Sequence, residues 1–280
     1  MVYPLRGPAA NLLGRKLLAV KMNWEATAKG GHEIHEPGGG WGPPAPGPWF
    51  LHLPRHPGNA VQAAGVVLAA VPLPPFASAV KQDFAQNRER ARMSLMDLLF
   101  RHFSQSASRA FPPEIRLTHD LWGKPFLLGP SPFLPAISFS YAADCLWGAL
   151  GHPGVHLGLD VAEAAEFPPS YPVHRLGKAE EWREMEGLAP GGPGEAAALL
   201  WSAKEAAVKA LGCGYHGIGP RQIDLLPQPG GLEPLLFLAH LDSSAKPRFS
   251  SLAEVKVSVA VYRRKRFWLA LGVASQALTG

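Results

Sequence analysis

Cysteine is almost missing from this chain of 280 residues, which holds only Cys145 and Cys213. Two thiols cannot staple so long a chain, so a disulfide scaffold is excluded and a reducing compartment is expected. Long apolar runs are also lacking. The best candidate, Val61 to Pro72, is too short to span a bilayer. The apolar residues near the N-terminus are interrupted by Arg6, Arg15, Lys16 and Lys21, which leaves no clean signal-peptide core. Charge is sparse, at 18% of residues with a net charge of +5. No zinc finger, dense basic stripe or other nucleic-acid module accompanies it. These absences predict a cytoplasmic protein without a membrane or nucleic-acid partner. The densest basic run, Arg263 to Arg266, follows an alternating apolar stretch and reads as a turn or edge between strands. No G-x-S-x-G nucleophile elbow is present, and the segment Leu211 to Gly217 lacks phosphate-loop spacing. His32 with His35 and His52 with His56 have ligand-like spacing, but no Cys/His cluster joins them, so zinc is not expected.

Glycine (30) and proline (29) are abundant, which implies many loops. Glu36 to Pro48 reads as linker, and 1–48 as an irregular N-terminal extension with a possible short helix over Leu12 to Met22. Trp49 opens a strand-like stretch. Val66 to Val71 fits either a strand or the end of a buried helix. Leu95, Leu98, Leu99 and Phe103 recur at helical spacing within a helix predicted from about Ala77 to Phe103. Ile137 and Phe139 alternate with Ser138 and Ser140, as in a half-buried strand, and Leu146 to Gly154 reads as a connection. Val155 to Val161 is a predicted strand with Asp160 near its end. A helix is predicted over about Lys178 to Met185, followed by a glycine-rich loop. Glu195 to Leu211, rich in alanine and leucine and closed by Gly212, is the strongest helix prediction. Four alternating or apolar stretches complete the chain. The expected class is α+β, with 49–152 as an N-terminal half and 153–280 as a C-terminal half.

Glu205 and Lys209 stand four apart on that helix, with Trp201 one turn earlier on the same face. Such a pair is common on solvated helix faces, and spacing alone favours that reading. Asp160 adds a strand-borne carboxylate. One strand Asp and one helical Glu suit a hard divalent cation, and neighbouring lysines suit phosphate. A cap or turn acceptor is the ordinary alternative for Asp160. Ser138 and Ser140 are weaker phosphate candidates.

The ordered motifs carry a resemblance. Gly123 to Pro125 (GKP), Ile137–Ser138, Gly158 to Asp160 (GLD) and Trp201 to Lys209 (WSAKEAAVK) are similar to the larger, pseudodimeric 4'-phosphopantetheinyl transferases, the surfactin-synthetase-activating type. The motifs span about residues 75 to 225, and WSAKEAAVK is the specific part. The resemblance implies a pseudodimer of two similar halves, each an antiparallel sheet packed with a long helix, with coenzyme A in the cleft between them. It implies transfer of the phosphopantetheine arm to a serine of an apo acyl or peptidyl carrier protein, with Mg²⁺ required and adenosine 3',5'-bisphosphate released. Asp160 and Glu205 would hold Mg²⁺. Glu205 would also help deprotonate the carrier serine, and Lys209 would stabilise phosphate charge, with Lys204 in the same field. Lys124, Pro125, Ser138 and Arg92, with Ser94 beside it, would contact coenzyme A.

Two residues depart from the family pattern. Phe139 stands where a coenzyme A-binding histidine is usual. Ala162 stands where many members carry a second carboxylate, and Glu163 is one position late, on the opposite strand face unless a bulge intervenes. These departures leave open a catalytically inactive relative that binds a carrier protein or nucleotide. A monomer is expected because two halves of one chain can form the cleft. The net positive charge suits an acidic carrier.

Overall fold

The computed structural model describes residues 49–51, 66–73, 81–103, 114–142, 144–229, 234–249, 252, 254–264 and 266–275. The expected extension over 1–48, the helix over Leu12 to Met22, and His32, His35, His52 and His56 lie outside these residues.

The architecture is α+β and is built in layers. One sheet has strand order β1-β2-β6-β5, from β1 (Trp49–Leu51), β2 (Val67–Pro72), β5 (Ala136–Ala142) and β6 (Cys145–Gly151). The second has order β7-β11-β10-β9-β8, from β7 (His156–Glu163), β8 (Ile223–Pro227), β9 (Leu235–Leu241), β10 (Lys256–Arg264) and β11 (Phe267–Ser275). All pairings are antiparallel. A short hairpin of β3 (Arg116–His119) and β4 (Pro125–Leu128) forms a separate two-stranded sheet, with Leu127 in the core under helix α1 (Lys81–Phe103). Helix α1 covers the first sheet, where Leu95, Met96 and Leu99 pack on Ile137, Leu146 and Leu150. Helix α2 (Ala179–Leu188) and helix α3 (Pro193–Leu211) cover the second sheet. The inner faces share a core in which Leu68, Ala142 and Ala149 meet Leu157, Leu159, Val161, Leu269 and Leu271. The order is therefore helix, sheet, sheet, helix, the expected sheet-and-helix unit twice over. Among the described residues, no helix is long and apolar enough to cross a membrane.

Several local readings change. Leu146 to Gly154 is not merely a connection, because Cys145–Gly151 is strand β6, paired with β2 on one side and β5 on the other. Its small and apolar residues are those of a strand covered on both faces, which shows no alternation. Val66 to Val71 resolves as strand β2. Strand β5 is not half-buried, since Ser138 and Ser140 are almost fully enclosed. Asp160 lies within β7 rather than near its end, because pairing with β11 runs on to Glu163↔Phe267. That register is continuous from His156 to Glu163, so no bulge brings Glu163 to the face of Asp160. Glu163 pairs instead with Arg266.

The two-residue period of β7 sends Leu157, Leu159 and Val161 to the shared core and Gly158, Asp160 and Ala162 toward α3. Gly158 sets the distance between strand and helix. A Cβ there would lie 2.0 Å from the Ala206 carbonyl oxygen and 2.5 Å from the Ala210 nitrogen. Its cross-strand partner Gly272 leaves a similar saddle, 2.7 Å from the same oxygen. Replacing Gly158 with alanine is expected to push α3 off the sheet and destabilise the fold by about 2–3 kcal/mol. Urea titration reads this directly, and an unchanged midpoint would refute the close approach.

Candidate active site

Helix α3 starts with Pro193 at its first turn and stops at Gly212, whose φ of 85° is left-handed. The Gly212 amide donates to the carbonyls of Val208 and Lys209, closing the last turn. This fixes Glu205 and Lys209 on one helix face, and the glycine saddle brings that face down on β7. The Lys209 amine reaches three oxygens. It donates to Asp160 Oδ1 at 2.8 Å and to the Leu159 carbonyl at 3.0 Å, and it stands 3.6 Å from Glu205 Oε1.

Asp160 is 5% exposed and is held from the other side by strand β5. The Ser140 hydroxyl donates to Asp160 Oδ1 at 2.9 Å and accepts from the Val161 amide at 3.1 Å. Ser138 accepts from the Leu159 amide at 2.9 Å. Strand β7 is a sheet edge, so these amides have no ladder partner on this side, and the two hydroxyls fill that need.

The second oxygen of each carboxylate is left over. Asp160 Oδ2 and Glu205 Oε2 are buried without a hydrogen-bond partner. Burial pushes the Asp160 carboxyl above the usual carboxylate range against the pull of Lys209 and Ser140. Burial raises Glu205 likewise, with Lys209 opposing and the charge of Asp160 adding. Two enclosed carboxylate oxygens with no donor form an oxygen set suited to Mg²⁺, which commonly takes one or two protein carboxylates and completes its shell with water and phosphate. Among the described residues, no three His, Cys, Asp or Glu side chains converge on one point. Ala162, fully buried in the α3-side core, adds no oxygen.

Lys204 is placed elsewhere. Its amine is buried, donating to Glu181 Oε2 at 2.7 Å and to the Pro220 carbonyl at 2.9 Å. Glu181 also accepts from the amides of Lys178 and Leu225, so this cluster is saturated and structural. The reason is helical geometry: Lys204 precedes Glu205 by one residue and so projects about 100° away. Ser138 is enclosed in the joint between the sheets, with its hydroxyl already engaged. Arg92 donates through Nε to Tyr141 on β5 at 2.9 Å, and Ser94 is exposed. Phe139 belongs to the core under α1, which accounts for an apolar residue at that position.

Lys124 and Pro125 line a cleft of about 210 Å³ with Ala136, Ile137, His156 and Leu157. The Lys124 amine donates to the carbonyl of Ala210 at 3.1 Å, tying the β3–β4 hairpin to the end of α3. Burial lowers Lys124 to about 8, partly offset by Asp120. His156 is pushed down by burial and by Lys124. Sequence reasoning missed His156, the tie between Ser140 and Asp160, and Tyr215 beside Trp201. The Ser-x-Ser spacing on β5 was the available signal for the tie.

Residues 156–261 match the family model of the 4'-phosphopantetheinyl transferase superfamily. The matched stretch holds Asp160, Glu205 and Lys209, whereas Arg92, Lys124, Pro125 and Ser138 lie before it. Among solved structures, the chain is similar to holo-[acyl-carrier-protein] synthase from Neisseria meningitidis, at 22% identity and a TM-score of 0.34, over 43% of this chain and 98% of that one. It is also similar to a holo-(acyl-carrier-protein) synthase from Bacillus anthracis in complex with CoA (3',5'-ADP), at 20% identity and a TM-score of 0.34, over 44% and 96%. Comparison with curated proteins finds no match.

Two outcomes follow from this geometry. Ser140→Ala strands the Val161 amide and removes a donor from Asp160, and is expected to cost about 1–3 kcal/mol in denaturant titration. A variant as stable as the parent would contradict the joint. Lys124 carries a sign. Its amine binds a proton less tightly in the folded protein, near 8, than at its ordinary 10.5. Between these values the unfolded chain holds more protons, so this group's contribution to stability rises with pH. Stability measured across pH 8 to 10.5 is expected to lose that rise in Lys124→Met, and identical slopes would refute the burial of the amine.

Proposed function

We propose that this chain transfers the 4'-phosphopantetheine arm of coenzyme A to a serine of an apo acyl or peptidyl carrier protein, releasing adenosine 3',5'-bisphosphate. The observation that carries this reading is the pair of buried, unpartnered oxygens, Asp160 Oδ2 and Glu205 Oε2, flanking the Lys209 amine. The superfamily match over the stretch holding all three residues supports it.

In this reading Asp160 and Glu205 hold Mg²⁺, which supplies charge neutralisation at the pyrophosphate. Lys209 turns part of its hydrogen bonding from Asp160 to phosphate oxygens and stabilises the leaving group. Lys124 and Pro125 hold coenzyme A from the hairpin side, with Arg92 contributing from α1. Ser138 acts there by fixing the edge of β7 below the substrate. Glu205 accepts the carrier serine's proton through water. The serine oxygen bonds to phosphorus as the bond from phosphorus to adenosine 3',5'-bisphosphate breaks.

The halves assigned are 49–152 and 153–280, with 1–48 as an extension, and one chain suffices for the cleft because it supplies both sheets. An acidic carrier fits the net charge of +5. A second reading has its own observation: with Ala162 buried and the β7 register unbroken, the site has one carboxylate fewer than many family members. That favours a relative that binds a carrier or nucleotide without transfer.

Incubation with coenzyme A, Mg²⁺ and apo carriers, read by intact mass, separates the two. Transfer predicts a carrier heavier by one phosphopantetheine, with turnover reduced on the order of a hundredfold or more in Asp160→Ala and Glu205→Ala. Coenzyme A binding without any gain in carrier mass would establish the second reading.

A further inference from the structure

The segment after α3 folds back along the helix. Gly214 donates to the Val208 carbonyl at 3.3 Å, and the Pro220 carbonyl accepts from Lys204. Between these anchors Tyr215 lays its ring on Trp201, with centroids 5.3 Å apart. Trp201 is one turn before Glu205 on the same helix face. The Tyr215 hydroxyl is buried without a hydrogen-bond partner, as are Glu205 Oε2 and Asp160 Oδ2. Burying an unpaired hydroxyl is unfavourable, and phenylalanine would fill the same space on Trp201 without that penalty. Tyr215 is only partly buried as a residue, and its enclosed hydroxyl without a partner points to an acceptor supplied by the working site.

We propose that Tyr215 is a positioning residue for Glu205, its O–H donating to that carboxylate directly or through one ordered water when a divalent cation is held. This inference rests on the metal site proposed above. The chemistry is that of an outer donor. Carboxylates that ligate a metal are themselves held by hydrogen bonds, and loss of such a partner weakens metal affinity about 10–100-fold. Lys209 already serves Glu205 Oε1, so Oε2 is the oxygen left needing orientation. A phenol ordinarily titrates at about 10, so the Tyr215 hydroxyl is a neutral donor throughout the physiological range. With Ala162 supplying no oxygen, a fixed Glu205 matters more here than in a site with three carboxylates.

The test is titration of the full chain with Mn²⁺ alone, the free ion read by electron paramagnetic resonance, for the parent, Tyr215→Phe and Glu205→Gln. The expected result is Mn²⁺ affinity about tenfold or more weaker in Tyr215→Phe, with an unchanged or higher thermal midpoint, and binding lost in Glu205→Gln. Parent-like Mn²⁺ affinity in Tyr215→Phe, with binding still lost in Glu205→Gln, overturns the role of Tyr215 and leaves the metal site standing. A lowered midpoint with unchanged affinity assigns the phenol to packing and also overturns it. Absence of Mn²⁺ binding in the parent overturns the metal site and this inference together.

Discussion

Ser138 and Ser140 hold the edge of β7 that no strand of its own sheet pairs. A sheet edge offers amide donors in a row, and here two side-chain oxygens from another sheet take them. The Leu159 amide goes to Ser138 and the Val161 amide to Ser140. The intervening residue is Asp160, and Ser140 spends its own proton on that carboxylate. The same two hydroxyls thus join the sheets, close an edge and orient the acid. The contact between Lys209 and Asp160 depends on that joint, because Lys209 on α3 can reach Asp160 only while β7 stays seated under the helix. The Gly158–Gly272 saddle makes that seating possible.

Polar groups are buried in two places along α3, and they differ in completeness. At Lys204, one carboxylate takes a lysine and two amides, and the lysine takes a further carbonyl. Nothing is left to bind, so that cluster stabilises the fold. At Lys209, two carboxylates share one amine and each keeps an oxygen without a donor. An unsatisfied buried acceptor is costly in a resting protein and suits a site that receives a cation. Lysines five residues apart on one helix thus differ by face: Lys204 lies in a saturated cluster, and Lys209 stands between two carboxylates that each keep an unpartnered oxygen.

Much of this was legible in the sequence, and the failures have physical causes. Alanine-rich helix α3 with its glycine stop declared itself, because propensity and cap agreed. The motif order named Asp160, Glu205 and Lys209 correctly as neighbours, which spacing alone did not justify. Strand β6 was misread as a connection because a strand covered on both faces loses the alternation that marks one. Ser138 and Ser140 looked like a solvent-facing row, since no local pattern distinguishes a hydroxyl facing water from one facing another strand's edge. Lys204 and Glu181 lie far apart in sequence, and only the folded arrangement reveals that they satisfy each other. Tyr215 carried no signal at all, because its importance lies in a missing partner.

Two oxygens, Asp160 Oδ2 and Glu205 Oε2, are the ones a bound cation would have to meet. Crystals grown with coenzyme A and soaked in Mn²⁺ would locate the ion by anomalous scattering. One peak within bonding distance of both Asp160 Oδ2 and Glu205 Oε2, with Lys209 turned toward phosphate, is the predicted result. A crystal in which coenzyme A is bound but Lys209 still bridges the two carboxylates, with the ion absent or held elsewhere, would contradict it.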